Sequence, residues 1–178
     1  MTGKRSSISA LPFWGALVLI VAVFGCGGET SHVEDMAADT NAGNKMPDFV
    51  LPNLEGEMIP SSDLSGKVVL IDFWATWCPP CRLEVPHLIE LHDSYKSQGF
   101  EILGIALDNQ GAEVVEPFVR ENGITYPIVI GNPEVVMAFG GLTGIPTAIM
   151  VDRSGNMVKK YVGYTEKAVF EEDIKRLL

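Results

Sequence analysis

Apolar residues in this chain fall into short runs separated by glycine, proline and acidic turns. Val68–Trp74 is apolar on both faces except at Asp72. That pattern predicts a strand covered on both sides. Residues 100–107 predict a second buried strand and residues 126–130 a shorter one. Thr147–Val151 and Met157–Val162 predict two strands joined by an Asp-Arg-Ser-Gly hairpin turn at 152–155. Helical spacing over residues 79 to about 97 turns Leu83, Leu88, Leu91 and Tyr95 inward, with a kink expected at Pro86. Residues 111–122 read as a helix stopped by Gly123, residues 132–139 as a short helix, and Thr165 as the cap of a final helix ending at Leu178. Ahead of all these, residues 48–51 and 57–59 flank a turn cluster at Asn53-Leu54-Glu55-Gly56, which predicts a small hairpin; residues 61–64 add one helical turn. Strand and helix alternate until a closing hairpin and helix. The expected architecture is an α/β sandwich with antiparallel strands only at its end.

The N-terminus has a different pattern. Lys4 and Arg5 precede an apolar run over residues 8–24 and then Gly25-Cys26. Charge, length and position read as a secretion signal. Val23-Phe24-Gly25-Cys26 resembles a bacterial lipobox, with Cys26 as the lipidated residue, although Phe24 replaces the usual small residue. The alternative is an uncleaved anchor, for which the run is at the short end. Residues 27–45 have no period, few large apolar side chains and many small or acidic ones, as a flexible tether would. A tether of that length reaches about 25 Å. The expected divisions are therefore 1–26 signal or anchor, 27–45 tether and 46–178 folded domain, outside the cytoplasmic membrane. Thirteen basic against 23 acidic residues give a net charge of −10. That balance argues against a nucleic-acid partner, because neutralising phosphates needs basic surface.

Three cysteines remain to be placed: Cys26, Cys78 and Cys81. Pro79 and Pro80 are tolerated in a first helical turn, where N–H groups have no intrahelical partner. Cys78 is thereby set at a helix N-terminus, where the macrodipole and a free backbone N–H, such as that of Cys81, favour a negative sulfur. The chemistry this supports is thiol–disulfide exchange, in which Cys78 attacks a disulfide and Cys81 resolves the mixed disulfide. A purely structural disulfide would close too small a loop to stabilise much. Zinc could draw on Cys78, Cys81, His87 and His92, but His87 and His92 point about 140° apart on a helix. No metal is expected, and no cofactor beyond the Cys78–Cys81 pair itself. An acid within an apolar strand is costly without a partner or a task, which singles out Asp72 against the alternative of a strand-end acid reaching water. Glu84 shares a helix face with Cys81, against the alternative of an ordinary charged helix residue. Two acids close to Cys81 would repel one another and oppose thiolate formation there.

The segment Trp77-Cys78-Pro79-Pro80-Cys81, with Arg82-Leu83-Glu84-Val85-Pro86 behind it and Gly144-Ile145-Pro146-Thr147 further on, resembles the thioredoxin superfamily and most closely its TlpA/ResA-like reductases. The likeness runs from about Met46 to Leu178. It implies a thioredoxin-like fold, an α/β/α sandwich about a mixed sheet, with an N-terminal β-hairpin extension and a βα insertion. It also implies that Asp72 takes or relays the Cys81 proton, that Glu84 tunes the thiols, and that the Ile145–Pro146 peptide is cis and faces the cysteines. The alternative for Pro146 is a trans proline starting a strand. Trp77 and Pro79 beside Cys78, with Ile145 and Pro146, are the candidate substrate contacts; Trp74 and Trp77 also read as packing. The implied protein is a membrane-tethered reductase of exported proteins, with apocytochrome c among its possible clients and a membrane thiol-transfer protein as electron donor. Two prolines between the cysteines remove local donors to the thiolate, which favours a reductant. Three other functions stand beside this reading: a disulfide-forming oxidant, a peroxiredoxin-like peroxidase and a non-enzymatic copper carrier. The peroxidase pattern needs a threonine three residues before its cysteine, where this chain has Ala75. The copper carrier needs a distant histidine, and none follows His92.

Overall fold

The computed structural model describes residues 44–178. The readings of a signal or anchor at 1–26, of lipidation at Cys26, and of a tether up to residue 43 lie outside the described residues. Asn44 and Lys45, assigned above to the tether, are joined to the domain. The Met157 N–H donates to the Asn44 carbonyl at 2.7 Å, and the Met46 N–H to the Gly155 carbonyl at 2.9 Å. Regular pairing therefore starts two residues earlier than composition suggests.

β1 (Val50–Pro52) and β2 (Met58–Pro60) form the antiparallel N-terminal hairpin. Its turn is held by the Asn53 carboxamide oxygen, which accepts from the Glu55 N–H at 3.0 Å and the Glu57 N–H at 2.8 Å. Ser61–Leu64 is a single 3-10 turn. β3 (Val68–Trp74) leads to α1 (Pro79–Tyr95), β4 (Phe100–Ala106), α2 (Ala112–Asn122), β5 (Ile128–Ile130), α3 (Pro133–Ala138), β6 (Thr147–Val151), β7 (Met157–Val162) and α4 (Lys167–Leu177). The main sheet has the order β5-β4-β3-β6-β7. β3, β4 and β5 run parallel, and β6 and β7 join antiparallel. β3 is thus central and paired on both edges, so all seven of its residues are buried. The α/β expectation holds, and within the main sheet the antiparallel strands come only at the end.

Strand alternation divides the core in two. Val68, Leu70 and Trp74 meet Leu88 and Leu91 of α1, Val115 of α2, and Phe170 and Ile174 of α4. Val69, Ile71 and Phe73 meet Val135 and Phe139 at α3, with Phe49, Leu51 and Leu64 from the N-terminal extension. Asp72 has even parity and so faces α1.

Two local expectations are corrected. Leu83 does not point inward: it is 65% exposed. The buried stripe of α1 is Cys81, Glu84, Val85, Leu88, Leu91 and His92, and Leu83 falls beside it. Thr165 does not cap α4 with its side chain. Its hydroxyl donates to the Gly163 carbonyl, Glu166 occupies the cap position without a side-chain bond, and the Thr165 N–H goes to α1 instead. α1 continues as helix through Pro86. Pro86 and Arg82, the residue whose carbonyl loses its helical partner there, are both exposed, so water can serve that carbonyl.

Candidate active site

The site starts where β3 ends. Trp74 is fully buried, and the Cys78 N–H turns back to the Ala75 carbonyl at 3.2 Å. Cys78 occupies the N-cap of α1 in extended conformation (φ −88°, ψ 107°), with proline in the first turn. The Cys81 N–H donates to Cys78 Sγ at 3.3 Å, the donor anticipated from the helix start. The two sulfurs are bonded, with Cα atoms 5.3 Å apart.

Asp108, just beyond β4, fixes this loop from the side. Its carboxylate accepts from the Thr76 N–H at 3.0 Å and from the Thr76 hydroxyl at 2.5 Å. The Leu107 N–H donates to the Trp74 carbonyl at 2.9 Å. Asp108 is buried, and although it lies 32 residues along the chain from Thr76 it meets the active-site loop through this contact. Sequence reasoning missed it. The available signal was an acid immediately after a buried strand that runs parallel to β3, at the strand end where the cysteines must lie.

Two acids lie buried between β3 and α1, Glu84 one helical turn past Cys81. Asp72 is 3% exposed and Glu84 1%. The alternatives of a strand-end acid in water and an ordinary surface glutamate are therefore set aside. Burial first, and the neighbouring Glu84 charge second, hold the Asp72 carboxyl well above its ordinary range. Burial raises Glu84 to about 7, against the opposing pull of the Thr165 N–H, which donates to Glu84 Oε1 at 2.5 Å. Glu84 thereby ties α1 to the segment entering α4.

Of the candidate substrate contacts, Trp77 is 65% exposed and Pro79 is exposed. Trp77 is not a packing residue, unlike Trp74, because the turn after Thr76 carries it out of the core. The Ile145–Pro146 peptide is cis. Phe73 pairs with Thr147, which puts Pro146 at the end of β3 from which the Cys78 loop departs. Ile145 packs against the cluster that contains both cysteines. Both cysteines are buried as residues, Cys78 at 3% exposure and Cys81 at 2%. Beside the loop, a cleft of about 490 Å³ is lined by Asp108, Ile130, Pro133, Val136 and Met137. His87 faces Tyr164 and His92 lies 2.9 Å from Glu101, so neither ring turns to the cysteines.

This geometry has a counterpart in known proteins. Residues 42–169 match the model of the AhpC/TSA family. A thiol-disulfide oxidoreductase ResA of Halalkalibacterium halodurans is 36% identical over 163 residues, 90% of this chain and 92% of that protein. The chain belongs to the AhpC/TSA family and is a thiol–disulfide oxidoreductase. ResA of Bacillus thuringiensis strain Al Hakam is 36% identical over 136 residues, covering 76% of this chain and 78% of the relative. Among solved structures, a thiol:disulfide interchange protein of the thioredoxin family from Chlorobium tepidum superposes with a TM-score of 0.70 at 37% identity. That likeness covers 75% of this chain and 95% of the other. The thioredoxin fold expected from the Trp-Cys-Pro-Pro-Cys segment is therefore established. Among the described residues no helix is long and apolar enough to cross a membrane.

Proposed function

We propose that this oxidoreductase is a reductant of disulfides in exported proteins, held at the outer face of the cytoplasmic membrane by its N-terminus through Cys26 or an uncleaved anchor. The observation that carries the direction of the reaction is the pair of buried acids below Cys81. A strong oxidant keeps its reduced form stable by making the attacking sulfur a stable thiolate. Here Asp72 and Glu84 mark a buried region where a negative charge is costly, and Pro79-Pro80 supplies no N–H to the pair, so thiolate is disfavoured and the disulfide form is favoured relative to such an oxidant.

In this reading a client disulfide approaches along Trp77, Pro79 and the Ile145 backbone. Cys78 attacks it and forms a mixed disulfide. Cys81 gives its proton to Asp72 and displaces the client sulfur, while Glu84 tunes the potential through Asp72. The Cys78–Cys81 pair is the only redox group required. It is returned to the dithiol by a membrane thiol-transfer protein, and apocytochrome c is a candidate client.

Equilibration with glutathione at defined ratios tests the direction. The expected potential lies near that of thioredoxin, about −270 mV, and a value near −120 mV would overturn the reductant reading in favour of an oxidant. A Cys81→Ser variant should accumulate mixed disulfides with its clients in the envelope; their identity decides whether apocytochrome c is among them.

A further inference from the structure

Asp72 is not the only unsatisfied group beneath α1. Asp72 Oδ1, the Tyr126 hydroxyl and Trp74 Nε1 are all buried without a hydrogen-bond partner in the protein. Buried polar atoms are nearly always paired, so three in one place need a reason. The sheet register shows that they are in one place. Asp72 pairs with Gly104 in the parallel β3–β4 ladder, so both point to the α1 face. Gly104 has no side chain, and the space is taken by its neighbours. A Cβ there would stand 3.0 Å from Trp74 Nε1 and 3.3 Å from Tyr126 Cε2, the ring carbon next to the one bearing the hydroxyl. The phenol and the indole N–H are thus packed into the slot directly beside Asp72.

We propose that Tyr126 is a positioning residue for the exchange reaction: its hydroxyl is the hydrogen-bond donor that steadies the Asp72 carboxylate as Asp72 receives the proton of Cys81. The structure makes no direct hydrogen bond between the two groups, so the link comes through a small movement of the phenol or across one water shared with Trp74 Nε1, and loss of the phenol oxygen removes either form. Tyr126 suits the task because burial, and then the charges of Asp72 and Glu84, push its own ionisation far up, so it always has a proton to donate. The inference rests on the reading of Asp72 as proton acceptor.

In the step itself Cys81 Sγ–H transfers its proton to an Asp72 oxygen. The Cys81 sulfur then attacks Cys78 Sγ, forming the Cys78–Cys81 bond as the bond from Cys78 to the client sulfur breaks. The electron pair leaves with the client sulfur, which takes a proton from solvent. The client is reduced by two electrons and the dithiol is oxidised by two. The other titratable groups around Asp72 are accounted for. Glu84 and His92 come from α1, with His92 held by Glu101 at the start of β4. Asp173 of α4 is engaged by Lys159, Tyr161 and Arg176.

The test follows oxidation of the reduced full chain by saturating glutathione disulfide between pH 5 and 9, with the Asp72 carboxyl titrated by ¹³C NMR. Tyr126→Phe should move the limb owed to Asp72 upward by about one pH unit, the scale of one hydrogen bond to a charged group. The rate at pH 7 should then fall severalfold. 3-Fluorotyrosine at position 126 keeps the shape and strengthens the donor, and should move the limb down; it also serves if the Phe variant folds poorly. A limb unmoved by both changes overturns the inference. Asp72→Asn separates the two levels: it should erase the limb, and its persistence would refute the role of Asp72 itself rather than that of Tyr126.

Discussion

Glu84→Gln measures what the buried acids do to the fold. The side chain lies on the buried stripe of α1, and its carboxyl is raised from 4.5 to about 7, chiefly by burial. The unfolded chain releases this proton near 4.5, while the folded chain holds it until about 7. Between these values the folded state binds more protons, so stability falls as pH rises. The contribution is fully present below 4.5 and is lost as pH passes through about 7. The gap corresponds to about 3 kcal/mol, and residual solvent screening reduces this to about 2 kcal/mol. Glutamine keeps an oxygen for the Thr165 N–H but has no proton to lose. The oxidised variant should match the wild type near pH 4 and exceed it by about 2 kcal/mol at pH 8. Urea unfolding at half-unit pH steps reads the difference. Asp72 titrates in both proteins and largely cancels; removal of the Glu84 charge also relieves Asp72, which can only enlarge the gap. Parallel stability curves for the two proteins would refute the assignment of Glu84 as a buried, proton-holding acid.

Three further outcomes follow from single contacts. Trp77→Ala should leave urea stability within about 0.5 kcal/mol, as expected of an exposed side chain. It should nonetheless raise KM for a disulfide peptide more than it lowers kcat; an unchanged KM would remove Trp77 from the client surface. Asp108→Ala strands the Thr76 N–H and hydroxyl and should cost about 1–3 kcal/mol. It should also speed reduction of the Cys78–Cys81 bond by dithiothreitol, because the loop before Cys78 loses its side support, and an unaltered reduction rate would show that the support is not needed. Gly104→Ala would set a Cβ 2.5 Å from Ile128 Cδ1 as well as against Trp74 and Tyr126. It should lower stability by about 1–3 kcal/mol in thermal unfolding, and an unchanged melting temperature would mean that the slot beside Asp72 is looser than described.

Much of this site was legible in the chain because it obeys local rules. β3 could be read from an apolar run, the Cys78 cap from the two prolines behind it, and the burial of Asp72 from the residues on either side. β6 and β7 were legible to the residue, since alternation and a four-residue turn fix a hairpin without outside help. What escaped was decided by distant partners. Thr165 looked like a cap, yet its N–H serves Glu84, 81 positions away in the chain. Asp108 acquires its role only because β4 lies beside β3. Tyr126 and Gly104 become notable only once the register sets Gly104 opposite Asp72. Leu83 was misplaced because a leucine in a helix is inward by default, and only the position of Cys81 fixes the phase.

That phase links the buried acids to the buried cysteines. Cys81, Glu84, Leu88 and Leu91 are spaced three, four and three residues apart, so they form one stripe along α1. The leucines that dock the helix onto β3 therefore also press Cys81 and Glu84 inward. Directly opposite on the strand is Asp72, of the same parity as Leu70 and Trp74, which those leucines pack against. A helix docked in another phase would turn Cys81 and Glu84 away from the strand together, since both lie on the same stripe. Because burial disfavours both carboxylates and the Glu84 charge further disfavours that of Asp72, the pair resists holding two charges at neutral pH. In the proposed mechanism the proton held there is the one that Cys81 exchanges. The same helix phase thus sets both the stability penalty of Glu84 and the burial of Cys81.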